Sequence, residues 1–224
     1  MGNSVGTSPP TFLRCKGGIE AKSMSTDIQF CIFDDVEYGV YTRLTQTPST
    51  LYCAYNVINC KAATNDLYGV FPRFSGTSNI YVLFNEFNIN GTSASSTTDR
   101  IGIYQDDVAA ADNTGTQIYM NDPVNLINYA DEGISLSGAR GGTVQSNMVY
   151  SDQTVSTHDA NCYSFVNANG TYVTNNYAND ATSSVYRSRA KGYFTERSTG
   201  WLYQCNSSYL TGCGFRFNKT CAGA

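Results

Sequence analysis

Charge is scarce in this chain. Aspartate, glutamate, lysine and arginine together make up 14% of its 224 residues, and the formal net charge is −4. That excludes the basic stripe by which nucleic-acid-binding domains follow a phosphate backbone. Long apolar runs are missing as well. No stretch approaches the roughly 18 consecutive apolar residues of a spanning helix, so no membrane insertion is expected. The opening Met1–Pro10 carries neither a basic nor an apolar segment of the kind that makes a secretory leader. The chain is therefore expected to be made without one, or to have lost it already. There is one histidine, His158, in the loop Thr157-His158-Asp159, and none of the cysteines forms a CxxC pair, which argues against a zinc site. No metal and no cofactor are expected. Sustained 3.6-residue periodicity is absent too, so helices are not expected.

Eight cysteines are present: Cys15, Cys31, Cys53, Cys60, Cys162, Cys205, Cys213 and Cys221. Paired, they would require an oxidising compartment. The plainer reading is free thiols filling small core positions. Sequons begin at Asn90, Asn169, Asn206 and Asn218. A chain this rich in asparagine, serine and threonine produces about that many by chance, so they carry no message about glycosylation.

What the sequence has in quantity is uncharged polarity and aromatic rings, with 17 tyrosines and 11 phenylalanines. It also repeats. A small residue followed by alternating apolar and polar residues recurs as Tyr38-Gly39-Val40-Tyr41, Tyr68-Gly69-Val70-Phe71, Ile101-Gly102-Ile103-Tyr104, Glu132-Gly133-Ile134-Ser135, Asn161-Cys162-Tyr163-Ser164, Lys191-Gly192-Tyr193-Phe194 and Cys213-Gly214-Phe215-Arg216. The spacings of the small residue are 30, 33, 31, 29, 30 and 22. Between these lie strand-like runs such as Ile80-Tyr81-Val82-Leu83, each followed by an asparagine: Asn56, Asn85, Asn121, Asn147, Asn176 and Asn206.

A unit of about 30 residues made of short strands cannot bury its own apolar face; stacked on identical units, it can. The expected fold is all-β: a single right-handed parallel β-helix of about seven coils, roughly 34 Å long at the spacing of paired strands, with an asparagine ladder linking successive turns. A propeller blade is too long for this period, and a sandwich has no reason to repeat. Residues 1–14 read as an N-terminal lead-in and 15–224 as the β-helix domain.

Alternation then sorts side chains. Val40, Val70, Ile103, Ile134, Tyr163, Tyr193 and Phe215 should point inward. Tyr41, Phe71, Tyr104, Ser135, Ser164, Phe194 and Arg216 should point outward. A second outward column should hold Arg43, Arg73, Asp106, Ser137, Val166, Glu196 and Asn218. Tyr41, Phe71 and Tyr104, with Arg43 and Arg73 beside them, would form an exposed aromatic strip, and such strips usually mark contact surfaces. The contact could be a sugar chain or a neighbouring subunit; a strip shielded by a loop is the bland alternative.

The segments Ser78-Asn79-Ile80-Tyr81-Val82-Leu83-Phe84-Asn85-Glu86-Phe87-Asn88-Ile89-Asn90-Gly91 and Arg100-Ile101-Gly102-Ile103-Tyr104 resemble coils of the pectin-lyase-like superfamily of right-handed β-helices. The likeness covers roughly residues 30–217. It implies a fold more than an activity, since that superfamily holds lyases, polygalacturonases, epimerases, phage tailspike depolymerases and non-enzymatic adhesins. Their usual ligand is a polysaccharide lying along the side of the helix. The chain is short for the enzymes and matches no catalytic motif of theirs, so the resemblance implies a tailspike or tail-fibre module, virion-borne or extracellular and homotrimeric. Two alternatives stand beside it: a polysaccharide lyase or glycoside hydrolase on the same fold, and a secreted, disulfide-stabilised adhesin.

For an enzyme, Asp106, Asp107, Asp131 and Glu132 are the densest acidic group near the strip and supply the candidate acid and base. Arg73 and Arg100 are the nearest cations for a lyase. The plainer reading makes these acids turn formers and Arg73–Asp106 a cross-coil ion pair. Asp34, Asp35 and Glu37 form a second acidic group, read as a turn or a weak cation site. Glu196 and Arg197 lie too many coils away to act with Asp106, and Trp201 could stack on a sugar or pack in the core.

Overall fold

The computed structural model describes residues 8–22, 25–44, 49–61, 66–74, 78–89, 99–107, 117–120, 125–130, 132–151, 161–180, 191–209 and 211–218. Among these residues there are 23 strands and no helix. The strands form where β-branched and aromatic residues cluster, as in Ser78–Leu83, where buried and half-buried positions alternate without exception.

Every third strand returns to the same sheet. The first sheet holds β1 (Thr11–Leu13), β4 (Ile32–Val36), β7 (Val57–Cys60), β10 (Glu86–Ile89), β13 (Leu126–Ala130), β16 (Met148–Ser151), β19 (Tyr177–Asp180) and β22 (Ser207–Tyr209). The second holds β2 (Gly17–Lys22), β5 (Tyr38–Leu44), β8 (Leu67–Phe74), β11 (Arg100–Asp107), β14 (Glu132–Ser137), β17 (Asn161–Val166), β20 (Lys191–Glu196) and β23 (Cys213–Asn218). The third holds β3 (Thr26–Gln29), β6 (Ser49–Ala54), β9 (Ser78–Leu83), β12 (Gln117–Met120), β15 (Gly142–Gln145), β18 (Tyr172–Thr174) and β21 (Leu202–Gln204). Neighbours within each sheet run parallel. The chain is a parallel β-solenoid, and sequence separation of one repeat becomes adjacency in space: Tyr38 pairs with Tyr68, and Tyr163 with Tyr193.

The glycine line sits where the coils leave no room for a side chain. A methyl group on Gly39 would stand 2.8 Å from the carbonyl oxygen of Gly69, and one on Gly102 would stand 2.7 Å from that of Gly133. Gly39 and Val40 are both buried, as are Gly69 and Val70. Alternation therefore skips a beat at this position, and the residue before the glycine shares the outer face with the residue two places after it. Tyr38 meets Tyr41, and Tyr68 meets Phe71, with ring centroids 6.0 and 4.8 Å apart.

The inward column is as expected for Val40, Val70, Ile103, Ile134, Tyr163 and Tyr193, all at most 1% exposed. Phe215 departs from it: the ring stacks on Tyr193 at 4.6 Å yet is 42% exposed, because β23 is the last strand of its sheet. Trp201 belongs to the core. Its ring packs on Phe165, and its Nε1 donates to the Ala168 carbonyl at 2.6 Å.

The asparagine ladder runs inside the corner between the third and first sheets. Asn56 Nδ2 donates to Asn85 Oδ1, Asn85 to Asn125, Asn125 to Asn147, Asn147 to Asn176 and Asn176 to Asn206, at 2.9–3.2 Å. The Oδ1 atoms of Asn56, Asn85, Asn125, Asn176 and Asn206 each also take a backbone N–H from the coil before, as Asn85 Oδ1 does from Asn56. One rung corrects the sequence reading: Asn125, not Asn121, continues the ladder. The steps on either side of it are 40 and 22 residues, so the extra residues before it and the shorter return after it cancel over two coils. Asn121 lies outside the described residues.

All described cysteines are free thiols. Burial pushes Cys53 and Cys60 up to about 12. Cys221 and His158 lie outside the described residues. The acidic group near the start links the first coils: Asp35 lies 3.9 Å from Arg14, Glu37 lies 3.9 Å from Lys16, and Asp34 accepts from Asn59 Nδ2 at 3.3 Å.

Candidate functional site

The outer face of the second sheet carries three in-register rows. The central row runs Tyr41, Phe71, Tyr104, Ser135, Ser164, Phe194, Arg216. Its first three members touch: Tyr41 and Phe71 rings are 5.3 Å apart, Phe71 and Tyr104 rings 4.9 Å. Tyr38 and Tyr68 join them from the preceding row, Tyr68 stacking on Tyr104 at 5.4 Å. The strip is thus five rings rather than three. Its members are half-buried, because they cover one another. Burial and the nearby Asp66 carboxylate hold the Tyr68 hydroxyl well above the usual phenol range.

Arg43 and Arg73 are register neighbours in the next row, Arg43 exposed and Arg73 half-buried. The Arg73 guanidinium lies 5.8 Å from the Phe71 ring centroid. The backbone of Asp106 falls in the same row, paired with Arg73, and that of Asp107 beside Phe74. The side chains of Asp106 and Asp107, and the whole of Asp131, lie outside the described residues, as does any ion pair between Arg73 and Asp106. At the far end of that row Glu196 pairs with Arg197 at 3.3 Å.

Where the aromatic row stops, a groove begins. Ser135 and Ser164 replace two rings in succession, and Phe194 resumes the row. Tyr104 and Phe194 therefore stand three coil spacings apart, about 14 Å, with serine between them. The cavity measures about 400 Å³. Expected to be outward, Ser135 and Ser164 do lie on the outer row, yet they are only 8% and 5% exposed, because short side chains sit below the level of the large ones at either end. Glu132 and Asn161 form one flank, Ser137 and Val166 the other. Asp99 and Arg100 close the flank beside Tyr104.

The register separates the acids grouped on the sequence. Glu132 pairs with Ile101 at the start of β11, and Asp106 sits five residues further along the same strand. The two backbones are roughly 16 Å apart along the strand direction. Glu132 borders the groove; Asp106 is on the other side of the sheet's width. Among the described residues, the acid that lines the groove with Glu132 is Asp99, which the sequence reading passed over because it lies before the strand rather than in it. Asn161 and Phe194 were also not singled out as lining residues.

A second aromatic row was missed altogether. Phe30, Tyr55 and Phe84 stand just before Cys31, Asn56 and Asn85 in three successive coils, with centroids 5.0 and 4.3 Å apart. Each has a positive φ of 55–60°, a conformation bulky residues rarely adopt. Phe30 is 60% exposed. Among the described residues no three histidine, cysteine or acidic side chains converge as metal ligands, and no helix is long and apolar enough to cross a membrane.

The geometry defines a class, a parallel β-solenoid with an aromatic strip leading into a lateral groove. No family model, curated protein or solved structure matches the chain.

Proposed function

We propose that the chain is a glycan-engaging β-helix module of a virion tail spike or fibre, holding a surface polysaccharide along the side of the solenoid. The winding is taken as right-handed, the hand of nearly all parallel crossovers, with about seven coils counted from the repeat and a pectin-lyase-like ancestry. The observation that carries the reading is the row in which stacked rings give way to two serines and then to Phe194. Ring faces at the ends of a polar trough suit the apolar faces and hydroxyl edges of a saccharide, and the low charge of the sequence suits a neutral contact. The corner row of Phe30, Tyr55 and Phe84 supports a homotrimer. Rings stacked on each other offer their edges to a neighbouring subunit, and native mass measurement checks the trimer.

Binding to a panel of acidic and neutral polysaccharides tests the main reading. Tyr104→Ala should weaken retention by about tenfold, the scale of one lost aromatic contact, with the fold intact. Ser135→Tyr, which continues the aromatic row across the trough, should abolish it. Full binding by the Ser135→Tyr variant would remove the groove from the account.

One observation favours a second reading, in which the same site cleaves the polysaccharide. Asp99 and Glu132 both border the groove, and their backbones stand roughly 8 Å apart given two residues of rise and one coil spacing, compatible with an acid and base pair. New reducing ends, or ultraviolet absorbance from unsaturated uronates, would establish cleavage; their loss in Glu132→Gln would assign it.

A further inference from the structure

One flank of the groove is chemically unlike the rest of its row. The row begins with Tyr38, Tyr68 and Ile101, then continues as Glu132, Asn161 and Lys191 on the adjacent parallel strands β14, β17 and β20. Asn161 and Lys191 are each only 6% exposed, and Glu132 is half-buried. Burying a carboxamide without all its hydrogen bonds is costly, so the state of Asn161 calls for a reason. The asparagine is held on one side: its Nδ2 donates to Glu132 Oε1 at 2.9 Å. Its Oδ1 is buried and accepts no hydrogen bond. With the amide nitrogen turned to β14, the carbonyl is turned away from it. The neighbour on the opposite side of Asn161 is Lys191, in register and one coil spacing away, about 4.8 Å at the backbone. The Lys191 amine lies on the outer face over the Phe194 ring, 5.3 Å from its centroid.

An amine, a carboxamide and a carboxyl group in this order hold the groups an amide exchange requires. We propose that Lys191 and Asn161 become joined by an intramolecular isopeptide bond, with Glu132 carrying the proton. Lys191 Nζ, in its neutral form, attacks Cγ of Asn161, and a carbon–nitrogen bond forms. In the tetrahedral intermediate both nitrogens are attached to the same carbon. The Glu132 carboxylate, already on Nδ2, spans them: it takes a proton from Nζ and passes it to Nδ2. The Cγ–Nδ2 bond then breaks and ammonia leaves. No oxidant, reductant or further reactant takes part, and Glu132 ends as it began. The product is a covalent staple between β17 and β20, fixing the flank of the groove across two coils. The proposal stands apart from the glycan reading; either can fail without the other.

Intact-mass measurement of the full-length chain, reduced and alkylated so that thiol chemistry is uniform, tests it. The expected mass is below that of the sequence by one ammonia. Trypsin should fail to cut after Lys191, and the digest should contain a branched peptide joining residues 161 and 191. Lys191→Arg and Asn161→Ala should restore the full mass, and Glu132→Gln should leave the chain unlinked. Full mass in the wild-type chain with normal cleavage at Lys191 would overturn the proposal. So would an ammonia deficit traced to a succinimide at Asn90-Gly91 or Asn169-Gly170. The wild-type result decides even where a variant fails to fold.

Discussion

Gly102 shows how closely the coils are set. A methyl group there would stand 2.6 Å from Ile127 Cγ2 and 2.7 Å from the Gly133 carbonyl oxygen, and the carbonyl cannot move without disturbing the next coil. Gly102→Ala should therefore cost about 1–3 kcal/mol, read as a lower urea midpoint at unchanged slope. An unchanged midpoint would mean that the coils have room to spare. The buried thiols give a second test at this scale. Cys53 and Cys60, fully buried, should resist a thiol reagent in the native protein and react only after denaturation. The glycine line was legible because it recurs at one phase of every repeat. Glu132, Asn161 and Lys191 were not read as an outer row, although each stands directly before a line position. Strict alternation turns that residue inward, and only the paired burial of Gly39 with Val40 shows the skipped beat.

Among elements, the ladder corner is the most demanding. Phe30, Tyr55, Phe84, Ser146, Asn175 and Cys205 all have positive φ between 53° and 60°; Phe30 stands just before Cys31, whose N–H donates to Asn56 Oδ1, and each of the others just before a ladder asparagine. That geometry is held by hydrogen bonds to the asparagine side chains. Asn85 accepts from Asn56 through both backbone and side chain, and donates to the Cys53 carbonyl at 2.9 Å. Asn85→Ala strands those groups in the core. The expected loss is about 1–3 kcal/mol for each group left unsatisfied, measured by chemical denaturation; a change below about 0.5 kcal/mol would show that the rungs are independent of the ladder. Asparagine after each short strand announced this ladder in the sequence. The one misplaced rung followed from irregular spacing, since a 40-residue step hides its partner from any fixed period. The stacked corner of Phe30, Tyr55 and Phe84 escaped notice for another reason: aromatic residues at positive φ are contrary to local preference, and only the ladder makes them affordable.

At the scale of the whole molecule, stability should depend on alkaline pH in a defined direction. Cys53 and Cys60 are pushed by burial from 9.0 up to about 12, and burial likewise raises the phenols of Tyr163 and Tyr193. The folded state holds these protons more tightly than the unfolded chain. Their stabilisation is complete below the unfolded value near 9 and is lost as pH rises towards 12. The melting temperature should thus fall steadily above pH 9; a flat profile to pH 11 would show that these groups are open to solvent. The architecture itself was written in the sequence by repetition, but the groove was not. A pair of serines is unremarkable in one dimension, and becomes a trough only when register sets Tyr104 and Phe194 at its two ends.

Hydrogen–deuterium exchange on the chain with and without a polysaccharide that it retains tests the central claim most directly. Slowed exchange is predicted in β11, β14, β17 and β20, around Tyr104, Ser135, Ser164 and Phe194. Protection confined to the Phe30–Tyr55–Phe84 corner, or a chain that retains no polysaccharide, would contradict it.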